Sequence, residues 1–76
     1  MQVGDLVRFS HEGIAFIESS HLDWIPVDSA GIIVKKYIYE EGDDNSNGQY
    51  VYDVMVLGRI AACFFKSELI LTEAAA

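Results

Sequence analysis

Apolar and polar positions alternate over Leu6–Phe9, with Leu6 and Arg8 pointing one way and Val7 and Phe9 the other. This predicts a short first strand, entered through the turn Val3-Gly4-Asp5. From Ser10 to Asp28 strict alternation is lost. Gly13, Ser19, Ser20 and Pro26 punctuate the stretch and its helix-compatible spacing is short, so it reads as a long ordered loop. Its content is unusual for a solvated connection, because it carries Ile14, Phe16, Ile17, Leu22, Trp24 and Ile25. Gly31 then opens the β-branched run Ile32-Ile33-Val34, which continues through Tyr37, Ile38 and Tyr39 and predicts a long, bent second strand. Glu40 to Gly48 hold acids, amides and glycines that favour turns, and predict an exposed hairpin loop.

Strand character resumes from Gln49 to Leu57 and again from Ile60 to Phe65. Only Gly58-Arg59 separates the two, which suits a two-residue type II′ turn with glycine first. Pairing Leu57 with Ile60 sets Val56 against Ala61, Val54 against Cys63 and Tyr52 against Phe65 on one face, assigned to the core. The other face then carries Met55, Leu57, Ile60, Ala62 and Phe64, which is too apolar for an ordinary wet surface. Lys66-Ser67-Glu68 reads as one 3₁₀ turn before a last strand, Leu69 to Thr72. The sum is an all-β chain of five short strands with a long first loop: one domain over residues 1–72 and a flexible tail over 73–76.

Composition sharpens this picture. The chain of 76 residues has room for one core and no large enclosed site. Cys63 is the sole cysteine and His11 and His21 stand far apart, so neither a disulfide nor the ligand spacing of a zinc site is expected. A lone thiol fits a reducing compartment, and no apolar run approaches the roughly 20 residues that span a bilayer. Five basic against twelve acidic side chains give a formal charge of −7, which repels phosphate backbones. Nucleic-acid binding would require Arg8, Lys35, Lys36, Arg59 and Lys66 to gather on one face. A hydrophobic fraction of 51% exceeds what so small a fold can bury, so part of it is expected to meet a partner.

Val3-Gly4-Asp5-Leu6-Val7, Gly31-Ile32-Ile33-Val34, Tyr52 to Val56 with Gly58-Arg59, and Ser67-Glu68-Leu69 together resemble the Src-homology-3-like small barrels. Barrels of this kind are common among small proteins of tailed bacteriophages, including those of cyanobacteria. The resemblance spans nearly the whole chain and implies a five-stranded barrel with one 3₁₀ turn before the last strand. It also implies a small structural or adaptor protein of a phage virion, found in the host cytoplasm or in the particle. Nucleic-acid-binding relatives use basic loops, whereas Glu40 to Asp44 are acidic here. The aromatic motif of the proline-peptide groove is missing, although Trp24, Tyr37, Tyr39 and Tyr50 are present.

Reactive chemistry is sparse. His11 with Glu12 lacks a nucleophile placed by spacing, and Cys63 is assigned to the core as a small hydrophobe. Asp43, Asp44, Asn45 and Asn47 lack the spacing of a calcium loop. Gly4, Gly31 and Gly58 lie in three separate turns and form no phosphate cradle. No catalytic, cofactor or metal residue is expected, and no enzyme activity. The expected function is protein–protein interaction or self-association. Its candidate anchors are Phe16, Ile17, Trp24 and Ile25 in the long loop, unless that loop folds back to close one end of the core, and Met55, Leu57, Ile60 and Phe64 on the hairpin face. The alternative is a regulatory module that recognises a host peptide along a groove or takes a strand at an edge.

Overall fold

The computed structural model of the chain describes residues 1–40 and 48–75, so most of the acidic loop, with its candidate calcium ligands, lies outside the described residues. The elements run in the order β1 (Leu6–Phe9), α1 (His11–Glu18), β2 (Gly31–Ile38), β3 (Tyr50–Val56), β4 (Arg59–Phe65), a 3₁₀ turn (Lys66–Glu68) and β5 (Leu69–Glu73). Antiparallel pairings join the strands into one sheet of order β4-β3-β2-β1-β5. Among the described residues β4 and β5 stay unpaired with each other, so the expected closure into a barrel is not made. The fold is mostly β, an open five-stranded sheet with one short helix.

That helix replaces part of the expected loop. Ser10 caps it: its hydroxyl accepts the Gly13 N–H at 3.2 Å and donates to the Ser67 carbonyl oxygen at 2.6 Å. One side chain thereby ends the helix and ties it to the 3₁₀ turn. Gly13 and Ile17, four residues apart, are the buried positions of α1. A helix of eight residues is unstable alone. Contact with the 3₁₀ turn holds it, and a Cβ on Gly13 would run into the Glu68 carbonyl oxygen. Too short to display a period, α1 depends on residues more than fifty positions away.

The core lies on one face of the sheet. Val7, Phe9, Ile33, Tyr52, Val54, Val56, Ala61, Phe64 and Leu69 are buried there beneath Ile17 of α1 and Leu22 and Ile25 of the segment that follows. Phe64 sits at its centre, with ring centroids 5.2 Å from Phe9 and 5.5 Å from Phe16. Gly31 also belongs to this packing and not to a turn, since a Cβ there would strike Val54 and approach Val56.

Two registers depart from expectation. The β3–β4 turn is Leu57-Gly58, with both φ angles positive at 53° and 77°, the type I′ pattern and not type II′. Val56 therefore faces Arg59, Met55 faces Ile60, and Val54 faces Ala61. The register then shifts between Tyr52 and Val54, so that Tyr52 meets Phe64 and Val51 meets Phe65. This bulge reverses the facing of β4 beyond Ala61. Phe64, expected outside, is fully buried, while Cys63 and Phe65, expected inside, are only half-buried. A second shift, between Ile33 and Lys35, lets β2 follow the bent sheet.

The two ends of the chain meet at Asp5, a buried carboxylate. It accepts the Gln2 N–H and the Ala75 N–H, each at 2.7 Å. The expected tail therefore begins inside β5 at Glu73 and is tied down at Ala75.

Candidate functional site

Five of the eight candidate anchors prove to belong to the fold or to its half-covered rim. Ile17 and Ile25 are core residues, and Phe16 and Trp24 are half-buried against the core. Trp24 is also covered by Arg59, whose guanidinium carbon lies 4.1 Å from the ring centroid. The segment from Ile14 to Val27 thus closes the core face. On the hairpin, Phe64 is buried by the bulge, while Met55, Leu57 and Ile60 are exposed.

The register assembles these last residues into a larger feature. Ile60 on β4 faces Met55 on β3, Met55 faces Ile32 on β2, Ile32 faces Leu6 on β1, and Leu6 faces Glu73 on β5. Directly opposed residues share a face of the sheet, so these five form one row across all five strands on the side away from the core. Ile32 is 47%, Met55 40% and Ile60 58% exposed, and Leu6 is half-buried. Leu57, 69% exposed, stands at the hairpin tip beside the row. Leu6 and Ile32 were not singled out from the sequence. Their alternation with buried Val7 and Ile33 is the signal that could have found them.

A second grouping lies on the same side of the sheet, towards the far end of β2. The Tyr37 hydroxyl donates to Asp53 Oδ1 at 2.9 Å and also meets the Cys63 thiol. Burial above all, then the hydrogen bond to Asp53 and its charge, push the Tyr37 phenol well above its ordinary range. Tyr37 is therefore a neutral hydrogen-bond donor near pH 7, and Asp53 is occupied in receiving it. Tyr37, Cys63, Tyr39 and Glu40 help line an open cavity of about 340 Å³. The Tyr39 ring packs edge-on against Phe65 at 5.5 Å.

The cations do not gather on one face. Lys35 and Lys36 point to opposite sides of β2, over the rings of Tyr37 and Tyr50. Arg59 covers Trp24, and Arg8 donates to the Asp28 carbonyl oxygen at 2.6 Å. Lys36 and Lys66 do share the rim of a cavity of about 390 Å³ that also includes Gln49, Tyr50 and Tyr52. His11 and Glu12 are both exposed on the first turn of α1.

No helix among the described residues is long and apolar enough to cross a membrane. Comparison of the chain with protein-family models, with curated proteins and with solved structures finds no match.

Proposed function

We propose that the chain is a non-enzymatic protein–protein interaction module that docks another protein on the outer face of its sheet. The observation that carries this reading is the row Leu6, Ile32, Met55 and Ile60, a continuous apolar strip on a face that no element of the chain covers among the described residues. Strands of a small sheet ordinarily alternate apolar-in with polar-out, and here the outward positions are apolar where the strands run side by side.

The strand order and the 3₁₀ turn between β4 and β5 support the finer reading of an Src-homology-3-like small barrel opened between those strands. The resemblance to small proteins of tailed phages supports a structural or adaptor role in a virion, in the host cytoplasm or in the particle. The net charge of −7 and the separated cations weigh against nucleic acid as the partner. A regulatory module that accepts a partner strand is the second reading, favoured by β5, an edge strand exposed at every residue after Leu69.

The test compares capture by the wild-type chain with capture by the triple variant Ile32→Ser, Met55→Ser, Ile60→Ser. The replaced side chains are exposed, so circular dichroism and melting should change little. A stoichiometric partner retained by the wild type and lost by the variant is the expected result. Equal retention by both removes the outer face from the reading, and retention lost only when β5 is altered moves it to the edge.

A further inference from the structure

The core side of the sheet carries a site of another kind, independent of the outer row. We infer that the cavity rimmed by Lys36, Tyr52 and Lys66 binds a small organic phosphate monoester, its phosphate group held by the two ammonium groups and the Tyr52 hydroxyl.

Register builds this cavity. Lys36 on β2 faces Tyr52 on β3, so both point to the core side, and Tyr50 shares that side two residues away. Lys66 enters from the 3₁₀ turn after β4, Gln49 from the residue before β3, and Met1 packs against the core beside them. The enclosed volume of about 390 Å³ falls within the range of about 300–1,000 Å³ usual for small-molecule sites. It leaves room for an organic group next to the phosphate, with Met1 and the Tyr50 ring as apolar wall.

Tyr52 points to a polar ligand. The residue is only 2% exposed, and its hydroxyl has no hydrogen-bond partner among the described residues. No sealed side-chain polar atom of those residues goes without a partner, so this hydroxyl is not sealed: it opens onto the cavity that Tyr52 lines. Burial above all, then Tyr50 and the Asp5 charge, push the phenol above its ordinary range. Near pH 7 it therefore keeps its proton and donates. A buried phenol ordinarily finds a partner for that proton, and here the cavity has to supply it.

Charge sets the class of ligand. The chain holds twelve acidic against five basic side chains, yet two of the five meet at this cavity and no acid lines it among the described residues. Lys36 is half-buried and lies 4.5 Å over the Tyr50 ring, and neither Lys36 nor Lys66 is in an ion pair among the described residues. Asp5 is the acid whose charge reaches Lys36 and Tyr52, but its two oxygens are taken by the Gln2 and Ala75 N–H groups. A phosphate monoester carries a charge of about −1.5 to −2 at pH 7 and three acceptor oxygens, which matches two ammonium groups and one hydroxyl. Lysine is a point charge with three rotatable donors and suits a tetrahedral oxyanion, whereas a planar carboxylate is matched best by the fork of an arginine. The net charge of −7 repels anions from the chain as a whole, so any anion that binds has to be held by a local site.

The experiment titrates the full chain, labelled for amide correlation spectra, with phenyl phosphate, inorganic phosphate, benzoate and phenol. The expected result is that phenyl phosphate saturates shifts at Lys36, Gln49, Tyr52 and Lys66 and binds about tenfold or more tighter than benzoate or phenol, with inorganic phosphate weaker at the same amides. Lys66→Ala removes an exposed, unpaired side chain and should weaken phenyl phosphate about tenfold. Tyr52→Phe keeps the ring and should weaken it a few-fold. Lys35→Ala, on the opposite side of β2, should leave it unchanged.

Absence of a saturable shift at these amides by about 10 mM phenyl phosphate overturns the site. Equal weakening by Lys35→Ala and Lys66→Ala overturns it as general attraction to cations. Benzoate that binds as tightly as phenyl phosphate overturns the phosphate class. None of these outcomes touches the outer row, which stands or falls with the triple serine variant.

Discussion

Two carboxylates show how position alone sets opposite pH behaviour. Asp5 is buried, yet the Ala75 N–H and then the Gln2 N–H stabilise its charged form and hold its carboxyl below the ordinary value. A depressed folded value gives stability that is present above the unfolded value of about 3.9 and lost as pH falls. Asp5→Asn offers an NH₂ where one of two donors needs an acceptor, so its melting temperature should fall at pH 7. The gap from wild type should narrow as pH falls below the unfolded value and close once the wild-type carboxyl is protonated in the folded state too. Glu68 behaves the other way. Burial raises its carboxyl, the Phe65 N–H at 2.7 Å opposes that, and the Glu12 charge adds to the rise. A raised folded value means that its contribution is full below about pH 4.3 and is lost as pH rises. Glu68→Gln keeps an acceptor for the Phe65 N–H and removes the charge. It should melt higher than wild type at pH 7 and equal to it near pH 4. A variant that melts lower at pH 7 would show that the charged form, not the neutral one, holds the 3₁₀ turn.

At the scale of elements, the β3–β4 hairpin carries a visible local conflict. Leu57 occupies a left-handed conformation with φ 53°, which costs a residue with a Cβ about 1 kcal/mol. It is also 69% exposed, so no burial offsets that cost. Leu57→Asn places a residue that tolerates this conformation at the first position of a type I′ turn, with Gly58 already at the second. The expected gain is about 0.5–1 kcal/mol, read as a higher urea midpoint at unchanged slope. An unchanged or lower midpoint would mean that Leu57 makes compensating contacts.

The same hairpin shows what the sequence could and could not convey. Its strands were legible because Val51, Val54 and Val56 are β-branched and the turn is two residues long. The 3₁₀ turn and the starts of β1 and β2 were equally legible from local signals. The facing of Phe64 and Cys63 was not, because a bulge sets Ala62 and Cys63 of β4 against Asp53 alone and no composition marks it. Helix α1 was missed for a related reason: Ser10 supplies a cap, but Ser67 and Glu68, which hold the helix, lie at the far end of the chain. Of the candidate anchors, Met55, Leu57 and Ile60 were placed correctly on the exposed side, since their assignment needed only alternation near the turn. Whether Ile17 and Ile25 dock a partner or close the core stayed open in the sequence, because nothing local distinguishes an apolar loop that docks elsewhere from one that folds back over its own sheet.

For the molecule as a whole, the exposed row and the net charge act against each other. At neutral pH a charge of −7 opposes self-association through the row, even though Ile32, Met55 and Ile60 would gain by leaving water. Lowering the pH towards the isoelectric point of about 4.4 removes the repulsion and leaves the apolar contact in place. Sedimentation should therefore find a monomer at pH 7.5 and reversible association near pH 5, with association at pH 7.5 rising only slightly as salt screens the charge. The triple variant Ile32→Ser, Met55→Ser, Ile60→Ser has the same titratable groups and so the same charge at every pH. If the row drives association, the variant stays monomeric at pH 5. Should it associate as strongly as the wild type, the adhesive surface lies elsewhere, and Ile70 and Leu71 on the open edge of β5 are the exposed apolar residues to replace next.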